Sequence, residues 1–506
     1  MSKRRYKEGI DRQQAFLLPP RVDEYVNEDN PVRALDVYVD SLDLEGLGFN
    51  NTAGELSAGQ PAFPPRAMLK LYLYGYLQRV RSSRRLEQEC QRNLEVIWLM
   101  EGLRPGYKTI ADFRKDNLEA LKAVNRDFVQ LCKELHLFGG ELVSVDGSFF
   151  RGNVSKKSIY TQERLLKTLA RIEQHISEYL QALDQLDAEE AEPGGIDPQP
   201  GLEEKLAQLR ERQRKQQARL QQLQESGEKQ LAEVDEDARL LHKNGQTVAG
   251  YNVEAAVDAK NKLFVVAEAT QDGNDEQQLE PLAKAAKAEL ERKQPEAKEE
   301  EAQAEPESQP FAVTADAGFF NAQQIKNCIE AGIIPYVPEP QKTRQASQQG
   351  RFVRDDFSYC PHTDSYTCPA GEELRYKTTH TRKDNQKVYH HYTSQASLCA
   401  QCPLKQQCLP AKTPYRQVTR WEHEAIIETH RERMAEKGDQ MMHKRACLSE
   451  HPFGTLKLWC GWTHFLLRGL KKVQAELSLL MWSYNFKRVL NILGPEALRA
   501  YCLQRA

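Results

Sequence analysis

LVSVDGSFF, residues 142–150, is the stretch from which the fold can be inferred, because FAVTADAGFF, residues 311–320, repeats its pattern. In both, a short apolar run typical of a buried strand leads to an aspartate, small residues and two phenylalanines. Strand-end carboxylates such as Asp146 and Asp316 can converge within one sheet, and their hard oxygen atoms suit Mg²⁺ or Mn²⁺. Two such ions can stabilise the attacking and leaving oxygens of a phosphoryl transfer. For either aspartate alone, the start of a turn is the simpler interpretation.

The surrounding pattern predicts a mixed α/β or α+β fold. Strand-like segments recur at residues 250–257, 263–267 and 333–337, and helical segments lie at 276–290 and from Asn321. Strands that alternate with helices in this way indicate a sheet covered by helices. Residues 296–310, rich in Glu, Ala and Pro, are expected to form a surface loop.

Composition excludes several classes of protein. The chain has 506 residues, of which 40% are apolar and 28% charged, enough for a sizeable core. No secretory leader and no apolar run of membrane-spanning length are found, so we expect a protein that is neither secreted nor integral to a membrane. Eleven cysteines without a leader favour reduced thiols or a metal site over disulfides. The net charge of -3 neither indicates nor excludes a nucleic-acid partner.

The N-terminal region is predicted to be helical from Pro64 to Leu137, with one long helix beginning at Thr109. Arginines near the predicted turns are typical of a helix-turn-helix unit, and a helical bundle with a solvated basic face is an equal alternative. These arginines are Arg81, Arg84, Arg85 and Arg92.

A long helical excursion follows the first strand. Leucine and isoleucine recur at coiled-coil spacing over residues 165–186 and again over 202–223, with a Pro/Gly-rich break at 193–201. Two matched seams around such a break predict an antiparallel helical hairpin. A spacer without chemistry is the preferred interpretation, and self-association is the alternative.

Five cysteines lie close together in the sequence. Cys399 and Cys402 form a C-x2-C pair of the kind that binds zinc, and Cys368 and Cys408 would complete a tetrahedral set, with Cys360 left over. A structural zinc site and unmetallated thiols are weighed equally. Four thiolates would leave no open position, which argues against a catalytic zinc.

A third carboxylate candidate, Glu450, lies in a basic region. If the segment is helical, Lys457 lies two turns further on the same face, where it could reach a phosphate, and Pro452 lies in the first turn or kinks the helix. Residues 444–488 carry eight basic and two acidic residues, and residues 372–420 carry nine and three. Two basic regions indicate a surface that faces a polyanion, although a solvated helix face would explain one of them.

Together these segments resemble the DDE-type transposases of bacterial insertion sequences, most closely the insertion-sequence 1182 group within the set related to insertion sequences four and five. The resemblance rests on residues 145–148, 314–319 and 445–457, on the segment 465–469, and on the C-terminal helix with Tyr484-Asn-Phe-Lys-Arg488. The N-terminal helices and the cysteine region with Tyr366-Thr-Cys-Pro-Ala-Gly371 are also similar to this group.

The resemblance implies a ribonuclease-H-like mixed sheet and an Asp, Asp, Glu triad formed by Asp146, Asp316 and Glu450. It implies two divalent ions, Mg²⁺ or Mn²⁺, bound by the triad. Arg445, Lys457 and Arg468 would contact DNA. The family pattern Y-x2-R-x3-E-x6-K is met only in part: Met442 replaces the tyrosine, and four residues separate Arg445 from Glu450.

The resemblance implies DNA transposition, in which a homodimer cleaves double-stranded DNA at the terminal inverted repeats and joins it to target DNA. It also implies a cytoplasmic bacterial protein that associates with the nucleoid when it acts. The alternatives are a non-catalytic DNA-binding protein that derives from such an enzyme, and a metal-dependent nuclease without strand transfer. The predicted division of the chain is a DNA-binding domain (1–137), a core in two parts (138–157 and 240–340), a coiled-coil hairpin (158–239), a cysteine-rich insertion (341–420) and a C-terminal helical part of the core (421–506).

Overall fold

The computed structural model describes most of the chain. The described residues are 21–52, 62–190, 202–243, 245–292, 310–340, 350–383, 386–410 and 412–505. The expected break at 193–201 lies outside them, and so does the expected loop 296–310 except for Pro310.

Six helices form the N-terminal part. Their apolar faces meet the C-terminal helix α14 (Leu470–Leu493), against which Tyr38 and Phe128 pack through Trp482 and Phe486. Burying four aromatic rings in one cluster contributes several kcal/mol, so the two ends of the chain share a core. The helices are α1 (Pro31–Asp40), α2 (Pro65–Leu77), α3 (Ser83–Arg92), α4 (Leu94–Leu99), α5 (Tyr107–Asp116) and α6 (Leu118–Glu134).

The single helix predicted from Thr109 is wrong, because Asn117 divides it into α5 and α6. The Asn117 side chain donates to the carbonyl oxygen of Phe113 and accepts from the backbone of Asn50. A side chain that binds the preceding turn competes with the helical backbone and ends α5 at that point.

A six-stranded mixed sheet forms the centre, which agrees with the predicted α+β fold. Strand β5 pairs antiparallel with β1 along one edge and with β4 and β6 along the other, and β7 and β8 continue the sheet parallel to β1. Helices α9 and α10 cover the face that carries Val143, Val145 and Val313. The elements are β1 (Leu142–Arg151), β4 (Arg239–Lys243), β5 (Gln246–Asp258), β6 (Phe264–Thr270), α9 (Leu279–Glu291), β7 (Ala312–Thr314), α10 (Ala322–Glu330) and β8 (Ile334–Tyr336).

Strand β1 is longer than the sequence pattern predicts. It was expected to end at Asp146, whereas its pairing with β5 continues to Arg151 opposite Gly250. Phe150 is buried at this end. Asp146 therefore lies within β1, but at the point where the shorter parallel partner β7 ends.

Two long helices leave the sheet after β1. Helices α7 (Gln162–Glu190) and α8 (Leu202–Ser226) pack against each other, and the antiparallel strands β2 (Ile159–Thr161) and β3 (Gln230–Ala232) join their bases. Apolar side chains at the base of this hairpin, including Leu165 and Leu223, are buried.

The cysteine-rich region forms a second sheet of five antiparallel strands in the order β13-β12-β11-β10-β9. Its own apolar core is small and consists of Phe357, Tyr366, Leu374, Tyr392 and Val418. The elements are β9 (Ser358–Cys360), β10 (Ser365–Thr367), β11 (Glu373–Thr381), β12 (Val388–Thr393), α11 (Ala396–Gln401), α12 (Lys405–Cys408) and β13 (Gln417–Trp421).

The last part is helical. Helix α13 (Glu424–Gly454) continues into one π-helical turn, Thr455–Trp459, and α14 is followed by α15 (Pro495–Arg505). Pro452 was expected in a first turn or at a kink, but it lies in the last turn of α13 because this helix begins far upstream. None of the described helices combines the length and the apolar composition that a membrane span requires.

Candidate active site

Asp146 and Asp316 occupy matching positions on two neighbouring strands. The parallel pair β1 and β7 is in register as far as Ser144 and Thr314; Asp146 lies two residues further along β1, and Asp316 lies two residues after Thr314, where β7 has ended. Adjacent strands are about 5 Å apart, so the two aspartates lie near the same end of this strand pair. The convergence expected from the repeated pattern is thus provided by the strand register.

Each aspartate binds the backbone of the turn or strand that follows it. The Asp316 side chain accepts a 2.8 Å hydrogen bond from the N–H of Gly318 and caps the short 3₁₀ turn Ala317–Phe319. Asp146 accepts a 2.9 Å hydrogen bond from the N–H of Gly147. These bonds restrict the rotamers of the two carboxylates.

A buried polar cluster that the sequence reasoning missed lies beside these aspartates. Asn252 donates a 2.9 Å hydrogen bond to Asp275 and a second one to Glu254. Glu254 is fully buried opposite Gly147, where an added Cβ would lie 2.7 Å from its carboxylate. The signal available in the sequence was weak: two polar side chains within an otherwise apolar strand.

Helix α13 brings the third carboxylate to this sheet. The helix begins beside β8, where His430 contacts the carbonyl oxygen of Val337, and ends beside β1, where Phe453 packs against Phe150 at 6.4 Å between ring centroids. Side chains alternate along a strand, so Phe150 lies on the same face of β1 as Asp146. Glu450 is exposed and lies one helical turn before Phe453.

Lys457 connects the end of α13 to β1. Its ammonium group donates hydrogen bonds to Ser148 Oγ at 2.5 Å and to the carbonyl oxygen of Phe149 at 2.8 Å, and it lies 4.6 Å from the ring centroid of Phe150. Lys457 therefore contacts the strand two residues beyond Asp146, closer to the aspartates than its position in the sequence indicates.

The other basic residues singled out from the sequence differ in how far they are exposed. Arg445 is half-buried and lies within 3.4 Å of Ser449 Oγ, and exposed Arg468 donates to the carbonyl oxygen of Asn153. Arg81, expected on a basic face, is instead buried and pairs with the carboxylate of Glu476 at 3.3 Å. Its guanidinium group is used inside the protein and is not part of an exposed basic surface.

Glu476 is an unusual buried acid. Burial raises the pKa of its carboxyl group, whereas the N–H groups of Leu467 and Leu466 and the charges of Arg81 and Arg114 lower that pKa. The N–H bonds measure 2.9 to 3.1 Å. This carboxylate holds the segment before α14 in place.

The sequence predicts metal binding at two sites, the three carboxylates and the four cysteines. Among the residues that the structure describes, no three histidine, cysteine, aspartate or glutamate side chains lie close enough together to hold a metal ion. Asp146, Asp316 and Glu450 thus belong to adjoining elements without forming a closed three-carboxylate cluster. The assignment of these residues stays a prediction.

The four cysteines proposed as zinc ligands line one small cavity. Cys368, Cys399, Cys402 and Cys408 all border a space of about 30 Å³ that Cys360 does not touch. Burial raises the pKa of the Cys408 thiol; the charge of Arg416 lowers it, and the other three thiols raise it further.

Two models of transposase domains match this chain. A domain of unknown function described as a transposase domain matches residues 20–116, and a transposase DDE domain matches residues 367–490. The second match contains Glu450 and the four cavity cysteines but neither Asp146 nor Asp316. No curated protein matches the chain.

Among solved structures, the chain is similar to a piggyBac transposase in a synaptic complex with hairpin DNA, seen by cryo-electron microscopy. The identity is 8%, the TM-score is 0.31, and the alignment covers 95% of this chain and 80% of the other. A likeness at this level carries no argument about function. Both domain matches, in the two halves of the chain, are to transposase domains, and together they indicate that this protein functions as a transposase.

Proposed function

We propose that this transposase cleaves and joins DNA by divalent-metal-dependent phosphoryl transfer, with Asp146, Asp316 and Glu450 as the metal ligands. The observation that supports the proposal is the register of β1 and β7, which pairs the residues two positions before each aspartate. The helix that bears Glu450 packs on the face of β1 that carries Asp146.

The residues fit the metal that this chemistry requires. All three candidate ligands are carboxylates, whose hard oxygen atoms suit Mg²⁺ or Mn²⁺. When bound, such ions would activate water and stabilise the charge that develops on the attacking and leaving oxygens.

The chain's own side chains have separate tasks in this proposal. Asp146, Asp316 and Glu450 bind and orient, and Lys457 keeps the end of α13 on β1 through its bonds to Ser148 and Phe149. Arg445 and Arg468 contact DNA phosphates. Catalysis would come chiefly from positioning and charge stabilisation.

The reaction has two chemical steps. A water oxygen attacks phosphorus at the end of the element, the P–O3′ bond breaks, and a 3′-hydroxyl and a 5′-phosphate are left. The 3′-hydroxyl then attacks a phosphorus of the target DNA, where another P–O3′ bond breaks. The recognised ends would be the terminal inverted repeats of an insertion sequence of the 1182 group, bound by a homodimer.

The mixed sheet supports the ribonuclease-H-like core that the resemblance implies. Its central strand β1 has an antiparallel neighbour on one side and a parallel neighbour on the other, and an aspartate leaves each of the two parallel strands. A zinc site at the cysteine cavity and the predicted domain boundaries remain proposals.

The proposal is tested with labelled DNA that carries the inverted repeats flanking the gene, in Mg²⁺ or Mn²⁺. We expect Asp146→Asn to slow cleavage by at least about a hundredfold while DNA binding is unchanged, because the group removed acts in the reaction. Glu450→Gln should have the same effect. Its matched control is Glu432→Gln, an exposed glutamate on the same helix, which should cleave normally.

Retained cleavage by Asp146→Asn would overturn the assignment. Binding without cleavage by the wild-type protein would favour the non-catalytic DNA-binding alternative. Cleavage without joining to target DNA would favour a nuclease.

A further inference from the structure

The cysteine cavity has a chemistry that the proposed active site does not use. Its four thiols come from three separate segments. Cys368 directly follows β10, Cys399 lies in α11 and Cys402 directly follows it, and Cys408 is the last residue of α12. Reduced cysteines are ordinarily scattered as small buried hydrophobes. Here they share one space of about 30 Å³, which has room for a single small ion.

The backbone at these cysteines is folded into tight turns. The N–H of Gly371 donates to the carbonyl oxygen of Cys368 at 2.8 Å, and Gly371 has a φ of +86° that glycine adopts without strain. The N–H of Cys402 approaches the carbonyl oxygen of Cys399 at 3.4 Å, and that of Lys405 approaches the carbonyl oxygen of Cys402 at 3.2 Å. Two turns that face each other across a cavity present thiols from both sides.

Polar groups around the cavity fit an anionic cluster. The Ser394 hydroxyl lies 3.0 Å from Cys399 Sγ, and it accepts a hydrogen bond from the backbone N–H of Arg416. The Arg416 guanidinium borders the cavity and binds the carbonyl oxygens of Cys408 and Phe352. Its Nε atom is buried and has no hydrogen-bond partner among the described residues. A positive group here would offset the charge of four thiolates, two units of which remain after a divalent ion binds.

The small core of this region indicates why a metal would be needed. An apolar core of five buried side chains is small for five strands and two short helices, and domains with such cores commonly use a structural metal.

We propose that Cys368, Cys399, Cys402 and Cys408 bind one structural Zn²⁺ as four thiolates. The sulfurs are not at coordinating separations in this structure. Rotation about χ1 moves each sulfur while the backbone stays in place, and thiolates draw together on the ion as protons are released. A closed four-thiolate site has no position for a substrate, so the ion holds the β10–β11 turn to α11 and α12 and does no chemistry. This proposal is independent of the active-site assignment.

The first test is the metal content of the full-length protein, purified under reducing conditions without a metal-affinity step. We expect inductively coupled plasma mass spectrometry to show one zinc ion per chain. Replacement by Co²⁺ should give the intense visible absorption of tetrahedral thiolate coordination. Absence of zinc from protein refolded with excess Zn²⁺, or a cobalt spectrum without thiolate bands, would overturn the proposal.

Variants then identify the ligands. Cys402→Ser and Cys408→Ser should lose the zinc, and Cys360→Ser, the matched control outside the cavity, should keep it. Circular dichroism checks that each variant is folded. If the variants do not fold, the cobalt spectrum of the wild-type protein decides whether thiolates bind the metal. Loss of zinc in Cys360→Ser alone, or a disulfide between cavity cysteines in the reduced protein, would contradict the proposal. The Asp146→Asn variant should retain its zinc, which separates this result from the test of the active site.

Discussion

The six-stranded sheet and the five-stranded sheet of this protein differ in what packs against them. The first lies between two large apolar cores, one shared with α9 and α10 and the other with α14 and the N-terminal helices. The second has five buried side chains of its own and is joined to the rest through Trp421 and the ion pair of Arg420 with Glu428.

This difference determines where polar chemistry can be placed. Because apolar burial on both faces stabilises the six-stranded sheet, it tolerates Asn252, Glu254 and two strand-end aspartates close to its centre. The five-stranded sheet buries few apolar side chains and gains little stabilisation of this kind. Its polar groups are engaged in ion pairs and, by our inference, in a zinc site.

The largest expected effect comes from removing a buried apolar side chain from the six-stranded sheet, compared with the same kind of change in the five-stranded sheet. Phe150 is buried against Phe453 and Phe465, so Phe150→Ala should lower the free energy of global unfolding by about 3–5 kcal/mol in urea denaturation. Leu374→Ala, equally buried in the small sheet, should instead reduce amide-exchange protection locally. If Leu374→Ala reduced the protection of β1 equally, the two sheets would form one cooperative unit and the comparison would fail.

A second prediction concerns the buried acid in the large core. Glu476→Gln should cost about 3 kcal/mol near neutral pH, since it leaves Arg81 buried without its carboxylate. Burial raises the pKa of Glu476 above its ordinary value of 4.5. The unfolded state has the ordinary pKa, and the folded state has the raised one. At a pH between the two, Glu476 keeps its proton in the folded state and has lost it in the unfolded state, so the free energy of unfolding of the wild-type protein falls as the pH rises from the lower pKa to the higher.

Denaturation at several pH values checks this prediction. The Gln variant should lack that slope. An identical slope in both proteins would show that another group titrates.

The smallest expected effect tests how closely polar groups pack beside the aspartates. Gly147→Ala should cost about 1–3 kcal/mol and reduce DNA cleavage, because the new Cβ would contact the buried Glu254 carboxylate. Gly454→Ala, whose Cβ would meet no atom within 4 Å, should be neutral or slightly stabilising. Equal stability of the two variants by thermal denaturation would mean that Glu254 can move aside.

Local signals predicted much of the large sheet. The apolar runs before Asp146 and Asp316 each formed a strand, and the similarity of the two segments correctly suggested neighbouring positions. The extension of β1 to Arg151 was missed because it depends on pairing with β5, about a hundred residues away in the chain. No local pattern contains that information.

The errors on the helical side have the same origin. The basic neighbours of Arg81 suggested a surface cation, but its position inside the protein depends on two distant partners, the carboxylate of Glu476 and the carbonyl oxygen of His464. Asn252, Glu254 and Asp275 were missed because each is unremarkable in its own segment and their meeting depends on tertiary structure.

The pairing of Arg81 with Glu476 spans 395 residues and has a consequence for protein synthesis. The N-terminal helices cannot complete their core until α14, which ends at Leu493, has left the ribosome. The helix that carries Glu450 is also among the last parts to emerge. A nascent chain therefore has an unfinished N-terminal core until α14 has been synthesised, and by our proposal it lacks one of its three metal ligands until α13 has been synthesised.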